Sequence, residues 1–214
     1  MIIPEVELLK LIEALLKYVE LDFNNATDEQ NTFLYRVFKD NNIGRYNFFE
    51  QAKDIFLRDK GHPRKIETRI MFDAQRAQLP TIHISLPGES TENNGIGMDE
   101  GYQEHFYDEN TRTISYTRGF NAQYSCIVTS DNALEVLTVY YVLKNILIAA
   151  TDNAEFRGLR NVQIGGNDLQ INSDIVPPHI FTRGINISVF YEQTIPSLRK
   201  DEIVEINKIL MKNC

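Results

Sequence analysis

Residues 120–150 read FNAQYSCIVTSDNALEVLTVYYVLKNILIAA, and two structural periods meet inside this run. Phe120, Ala122, Tyr124, Cys126 and Val128 fall at every second position, the spacing that turns one face of a strand toward a core. At Ser130-Asp131-Asn132 the alternation stops. These are helix-capping residue types, and Asn132 with Glu135 makes a capping-box pattern. Beyond them Leu134, Val136, Leu137, Val139, Tyr140, Leu143, Ile146, Leu147 and Ile148 predict a helix over 132–152 that is apolar nearly all round. Such a helix must be covered on more than one side, either deep in its own fold or by a neighbouring subunit. It is not expected to cross a membrane: Glu135, Lys144 and Asn145 interrupt it, and a central Lys costs about 3 kcal/mol on the insertion scale.

Toward the N-terminus the period is helical. Leu8, Leu9, Ile12, Leu15, Leu16 and Val19 form a stripe over 4–21, with Pro4 suited to a first-turn position. Shorter helical patterns cover 28–39 and 46–58, and Gly61-His62-Pro63 closes an all-helical segment, 1–61. Strands are then expected where Ile66, Thr68, Ile70 and Phe72 alternate with Glu67, Arg69 and Met71, and where Ile82, Ile84 and Leu86 alternate with His83 and Ser85. Residues 88–110 hold Glu89, Glu92, Asp99, Glu100, Glu104, Asp108 and Glu109 with no Lys or Arg, a pattern read as an extended loop or arm. A strand over 112–129 precedes the apolar helix.

After that helix, Gly165-Gly166 suggests a hairpin between strands at 160–164 and 168–171. A last strand runs over 179–193, and Ile203, Ile206 and Leu210 mark a C-terminal helix within 196–214. Strands linked mostly to strands imply an α+β fold, a mostly antiparallel sheet with helices packed on one face. The core would span 62–195.

The chemistry is sparse. His62, His83, His105 and His179 are scattered without metal-ligand spacing. His83 is expected on the polar face of its strand. Cys126 and Cys214 form no CxxC or Cys/His pattern, and a buried Cys126 is the simplest reading. There is no GxSxG or Walker motif, and Gly95-Ile96-Gly97 lacks the third glycine of a dinucleotide fingerprint. The acidic loop lacks the ligand alternation of an EF-hand. No cofactor or metal is therefore expected, and the opening residues are not expected to act as a secretory signal. A net charge of -8 disfavours binding to a phosphate backbone. Arg64, Arg69, Arg76, Arg112 and Arg118 flank the strands and, with the acidic loop, supply opposite charges for head-to-tail pairing between copies.

Three stretches carry a resemblance: the strand-to-helix run from Tyr124 to Leu147, then GLRNVQIGGNDLQ from Gly158, then PPHIFTRGINISVFYE from Pro177. Together with the order of elements over 64–193, they resemble tail-terminator or neck-ring virion proteins of tailed bacteriophages, including those of crAss-like phages. The helical leader and the long acidic loop depart from the simplest terminators. The resemblance implies a head–tail connector role: a homo-oligomeric ring, six-fold or twelve-fold, assembled in the host cytoplasm and stacked on portal, neck or tail proteins. Phage DNA would pass through it without specific binding. Glu89, Glu92, Asp99, Glu100, Arg69, Arg112, Arg118 and Tyr140 are the expected interface residues. The competing readings are a dimeric binding or regulatory module outside any virion, and an enzyme lacking a recognisable motif.

Overall fold

A computed structural model describes residues 3–71, 78–91, 105–108, 113–152, 158–167 and 179–196, without the side chains of 105–108, 113–118, 167 and 194–196. Helix α1 (Pro4–Asn25) opens with Pro4 in its first turn and with Glu5 and Glu7 beside the positive end of the helix dipole. It buries Leu8, Leu11, Ile12, Leu15 and Val19; truncating one such side chain to Ala costs about 2–5 kcal/mol. The 28–39 pattern divides into a 3-10 turn at Glu29–Asn31 and helix α2 (Phe33–Phe38). Asp22 of α1 accepts the Phe33 N–H at 2.6 Å, so a carboxylate of one helix satisfies the start of the next.

The leader is not all helical. Strands β1 (Asn42–Ile43) and β2 (Tyr46–Asn47) make a small hairpin, pairing Asn42 with Asn47 and Ile43 with Tyr46. Gly44 takes a left-handed φ of 59° in its turn. Asn47 then caps helix α3 (Phe48–Phe56) by accepting from Phe49 and Glu50 N–H. Tyr35 with Phe49, and Phe38 with Phe48 stacked at 5.7 Å, pack α2 to α3, and Tyr46 of the hairpin meets Phe48 edge-on at 4.9 Å.

The larger sheet comprises β3 (Glu67–Ile70), β4 (Thr81–Thr91), β5 (His105–Asp108), β6 (Thr113–Ser130), β7 (Arg160–Asn167) and β8 (Phe181–Pro196). Its order is β3-β4-β6-β8-β7, with β5 also paired to β6. Strands β7 and β8 are antiparallel, as are β5 and β6, whereas β3 runs parallel to β4 from Glu67↔Thr81 to Ile70↔Ile84. The fold is α+β with a mixed sheet.

Period two holds on β6 (Ala122, Tyr124, Cys126 and Val128 buried) and on β8 (Ile185, Ile187, Val189 and Tyr191 buried). Edge strand β3 does not keep it: Ile70 is exposed, because an edge strand has a partner on one side alone. Gly165 and Gly166 lie inside β7 rather than at a hairpin turn. A Cβ on Gly166 would collide with the Tyr140 hydroxyl, so this glycine makes room for a side chain from the helix above.

Helix α4 (Ala133–Ala149) packs against α1, α2, α3 and β7. Its all-round apolar character is therefore met largely within the chain, between the leader and the sheet. Tyr141 and Ile148 remain exposed.

The chain divides into two compact units. One takes Ile2–Glu89 and Asn121–Tyr191; the other takes Ser90–Phe120 and Glu192–Cys214, with Met1. This division differs from the expected 1–61, 62–195 and 196–214, since the leader belongs to the same unit as α4 and most of the sheet. The expected terminal helix lies outside the described residues.

Candidate functional site

Among the described residues, the most highly connected polar cluster stands where β6 ends and α4 begins. Asn132 caps the helix by accepting from Leu134 N–H at 3.0 Å and Glu135 N–H at 3.4 Å. Its own N–H donates to Ser130 Oγ at 3.3 Å. Glu135 does not turn back to complete the capping box. Its side chain, 4% exposed, accepts from Arg58 Nη1 at 3.1 Å and from Arg64 and Ser130.

The two arginines are themselves held. Arg64 grips Asp131 with both terminal nitrogens, at 3.1 and 2.7 Å. Arg58, 10% exposed, also donates to Asp54 at 2.9 Å and to the Arg64 carbonyl at 2.6 Å. Hydrogen bonding to Asp131, and then to Glu135, raises the Arg64 pKa, while Arg64 lowers that of Asp131. The end of α3 and the connector before β3 are thereby clamped to the first turn of α4.

A cleft of about 510 Å³ opens beside this clamp, lined by Tyr46, Gln51, Arg58, Arg64, Asp131 and Phe181 among others. The Tyr46 hydroxyl lies 3.2 Å from Thr138 Oγ1, and burial raises its pKa. Two carboxylates (Asp131, Glu135) and two guanidiniums (Arg58, Arg64) line it, so its formal charges balance. A phosphate entering it would compete with carboxylates already bidentate or buried. Among the described residues, no group of three His, Cys, Asp or Glu side chains is placed to hold a metal ion.

Among the described residues, those singled out from sequence do not converge. Glu89 is exposed near the end of β4 and accepts from the Tyr191 hydroxyl. Arg69 pairs with Glu67 at 3.0 Å on β3. Arg118 belongs to β6, with its side chain outside the described set, while Glu92, Asp99, Glu100, Arg76 and Arg112 lie outside the described residues. Tyr140 is 3% exposed, with the Arg183 guanidinium 4.4 Å from its ring centre. Its ring packs inside the chain.

His83 corrects a further expectation. It is 1% exposed, with Nδ1 3.2 Å from the Met71 carbonyl oxygen, because the start of β4 is buried on both faces. His62 is exposed and accepts from Arg64 N–H at 3.1 Å, and His179 lies in a turn. Cys126 is fully buried, and desolvation pushes its thiol up to about 12. Sequence reasoning missed Arg58, Glu135 and Asp131 as a unit. A single carboxylate among the apolar residues of α4 was the available signal.

No protein-family model matches the chain, and no curated protein is detectably similar to it. Among the described residues, no helix is long and apolar enough to cross a membrane.

Proposed function

We propose that the chain is a structural virion protein that forms a homo-oligomeric ring in the neck or tail of a tailed bacteriophage. In this role it joins head or portal to tail and lines the DNA channel. Strand β6 carries the reading. It is a single strand of 18 residues. Strand β5 pairs along its start, from His105↔Tyr116 to Asp108↔Thr113, and its end leads directly into α4. Strand pairing followed by a strand that leads into a helix over the sheet, with further strands after it, is the order of elements on which the resemblance to tail-terminator and neck-ring proteins rests.

Charge supports the same reading. A chain of net charge -8 whose best-connected arginines are already paired offers DNA little attraction, so DNA would slide past rather than bind. The partners on this reading are further copies of the chain and the portal, neck or tail proteins stacked on the ring. Light scattering with negative-stain imaging tests it. Closed rings of six or twelve copies are the expected result. A stable dimer that gives no rings at high concentration overturns it in favour of a binding or regulatory module.

A further inference from the structure

Between α1 and the chain entering β3 lies a groove of about 580 Å³. Phe56 is buried in it, Leu16 and Ile66 are half-buried, and Leu21 is 47% exposed. Three lysines and two glutamates also line it, and their commitments differ. Lys65 donates to Glu20 at 3.3 Å and to the Arg58 carbonyl at 2.5 Å, and Glu13 accepts from Thr68 at 3.1 Å. Lys17 and Lys60 are exposed and, among the described residues, make no hydrogen bond or ion pair. In a chain of net charge -8, an apolar groove with two uncommitted cations at its rim is complementary to an acidic segment carrying apolar side chains.

The same chain contains such a segment. Residues 88–110 hold seven carboxylates and no Lys or Arg, and within them Ile96-Gly97-Met98-Asp99-Glu100 sets two apolar side chains directly before two carboxylates. We infer that the part of this segment between β4 and β5, residues 92–104 of a second copy, docks in the groove, with Ile96 and Met98 on its apolar floor and Asp99 and Glu100 at Lys17 and Lys60.

The inference rests on the ring reading and gives it a contact. The groove and the segment are different surfaces, so pairing them between copies is heterologous, and heterologous pairing closes into rings where an isologous contact stops at a dimer. Apolar burial holds the segment, while the charges set its register and speed encounter.

Two variants test it by complementation. Deletion of 90–103 leaves an intact groove without the segment, and Lys17→Glu with Lys60→Glu leaves the segment without its groove. Both lysines are exposed, so circular dichroism of the second variant should match that of the parent. Neither variant alone is expected to assemble. Mixed, they should form a one-to-one complex by light scattering, whose dissociation constant rises about tenfold or more between 0.1 and 1 M salt as the pairs are screened. Adding Asp99→Lys and Glu100→Lys to the double lysine variant should restore rings.

If the lysine variant assembles like the parent while the deletion does not, the groove is not the receiver and the ring reading stands. If a peptide spanning 92–104 binds the deletion variant but not a monomeric parent, the segment occupies its own chain, and the inference fails. If the parent forms a stable dimer and no rings, the functional reading itself falls.

Discussion

Arg58 Nη1 donates to Glu135 Oε1 across 3.1 Å, although the residues are 77 positions apart. One side chain is 10% and the other 4% exposed, so neither charge has water to fall back on. Glu135→Ala should cost about 3–5 kcal/mol, the range for removing one member of a buried pair. Arg58→Met combined with Glu135→Leu should cost less than that single change, since no unpaired buried charge remains at these two positions. Urea unfolding followed by circular dichroism measures both. A loss below about 1 kcal/mol for Glu135→Ala, the size of an exposed pair, would show that the clamp does not hold the leader to α4.

The Arg64–Asp131 pair gives the clamp an acid limit. Arg64 lowers the pKa of Asp131 in the folded chain, so between the folded and unfolded values the unfolded state binds the extra proton. The contribution is complete above the ordinary aspartate range and disappears as pH falls through the depressed folded value. Stability measured from pH 6 to pH 3 should fall less steeply in Asp131→Asn than in the parent. Asp131 is 44% exposed, so added salt should shrink the difference. Parallel acid slopes in the two proteins would remove Asp131 from the account.

What could be read from sequence depended on whether a pattern was local. β6 and β8 were legible because each buries one face, at Ala122, Tyr124, Cys126 and Val128 and at Ile185, Ile187, Val189 and Tyr191. His83 was misplaced because Thr81, Ile82, His83 and Ile84 are all buried, and alternation cannot signal a strand covered on both faces. The hairpin at Asn42–Asn47 was hidden between two helical patterns, although Gly44 marks its turn. The clamp was illegible for a different reason. Its links join residues 67 to 77 positions apart, and no period in the sequence connects them. The apolar surface of α4 was legible, but its partners were not: the leader and the sheet supply most of the cover.

Tyr140 and Gly166 should behave as a coupled pair. A methyl group at residue 166 would occupy the place of the Tyr140 hydroxyl, so Gly166→Ala should cost about 1–3 kcal/mol through overpacking. Tyr140→Phe removes the colliding oxygen, and the double variant should lose less than the sum of the single losses. A double-mutant cycle on unfolding free energies reads the coupling. Strict additivity would mean that the ring moves aside freely, and that Gly166 is present for some other reason.

Cys126 offers a probe of opening that needs no assembly partner. Its thiol is fully buried, and desolvation moves it from an ordinary value of 9.0 up to about 12. Because the thiolate is the reactive form, alkylation at pH 8 requires the β6 core to open. In a Cys214→Ser background, Cys126 should react at least about a thousandfold more slowly in the folded chain than in urea, the factor set by a stability of a few kcal/mol. The same burial fixes the alkaline behaviour. Between pH 9 and 12 the unfolded chain loses a proton that the folded chain keeps, so stability falls as pH rises through that window. Cys126→Ala should remove that part of the alkaline loss while creating a small cavity. Labelling within tenfold of the unfolded rate would place Cys126 at an accessible surface and overturn its position in the core.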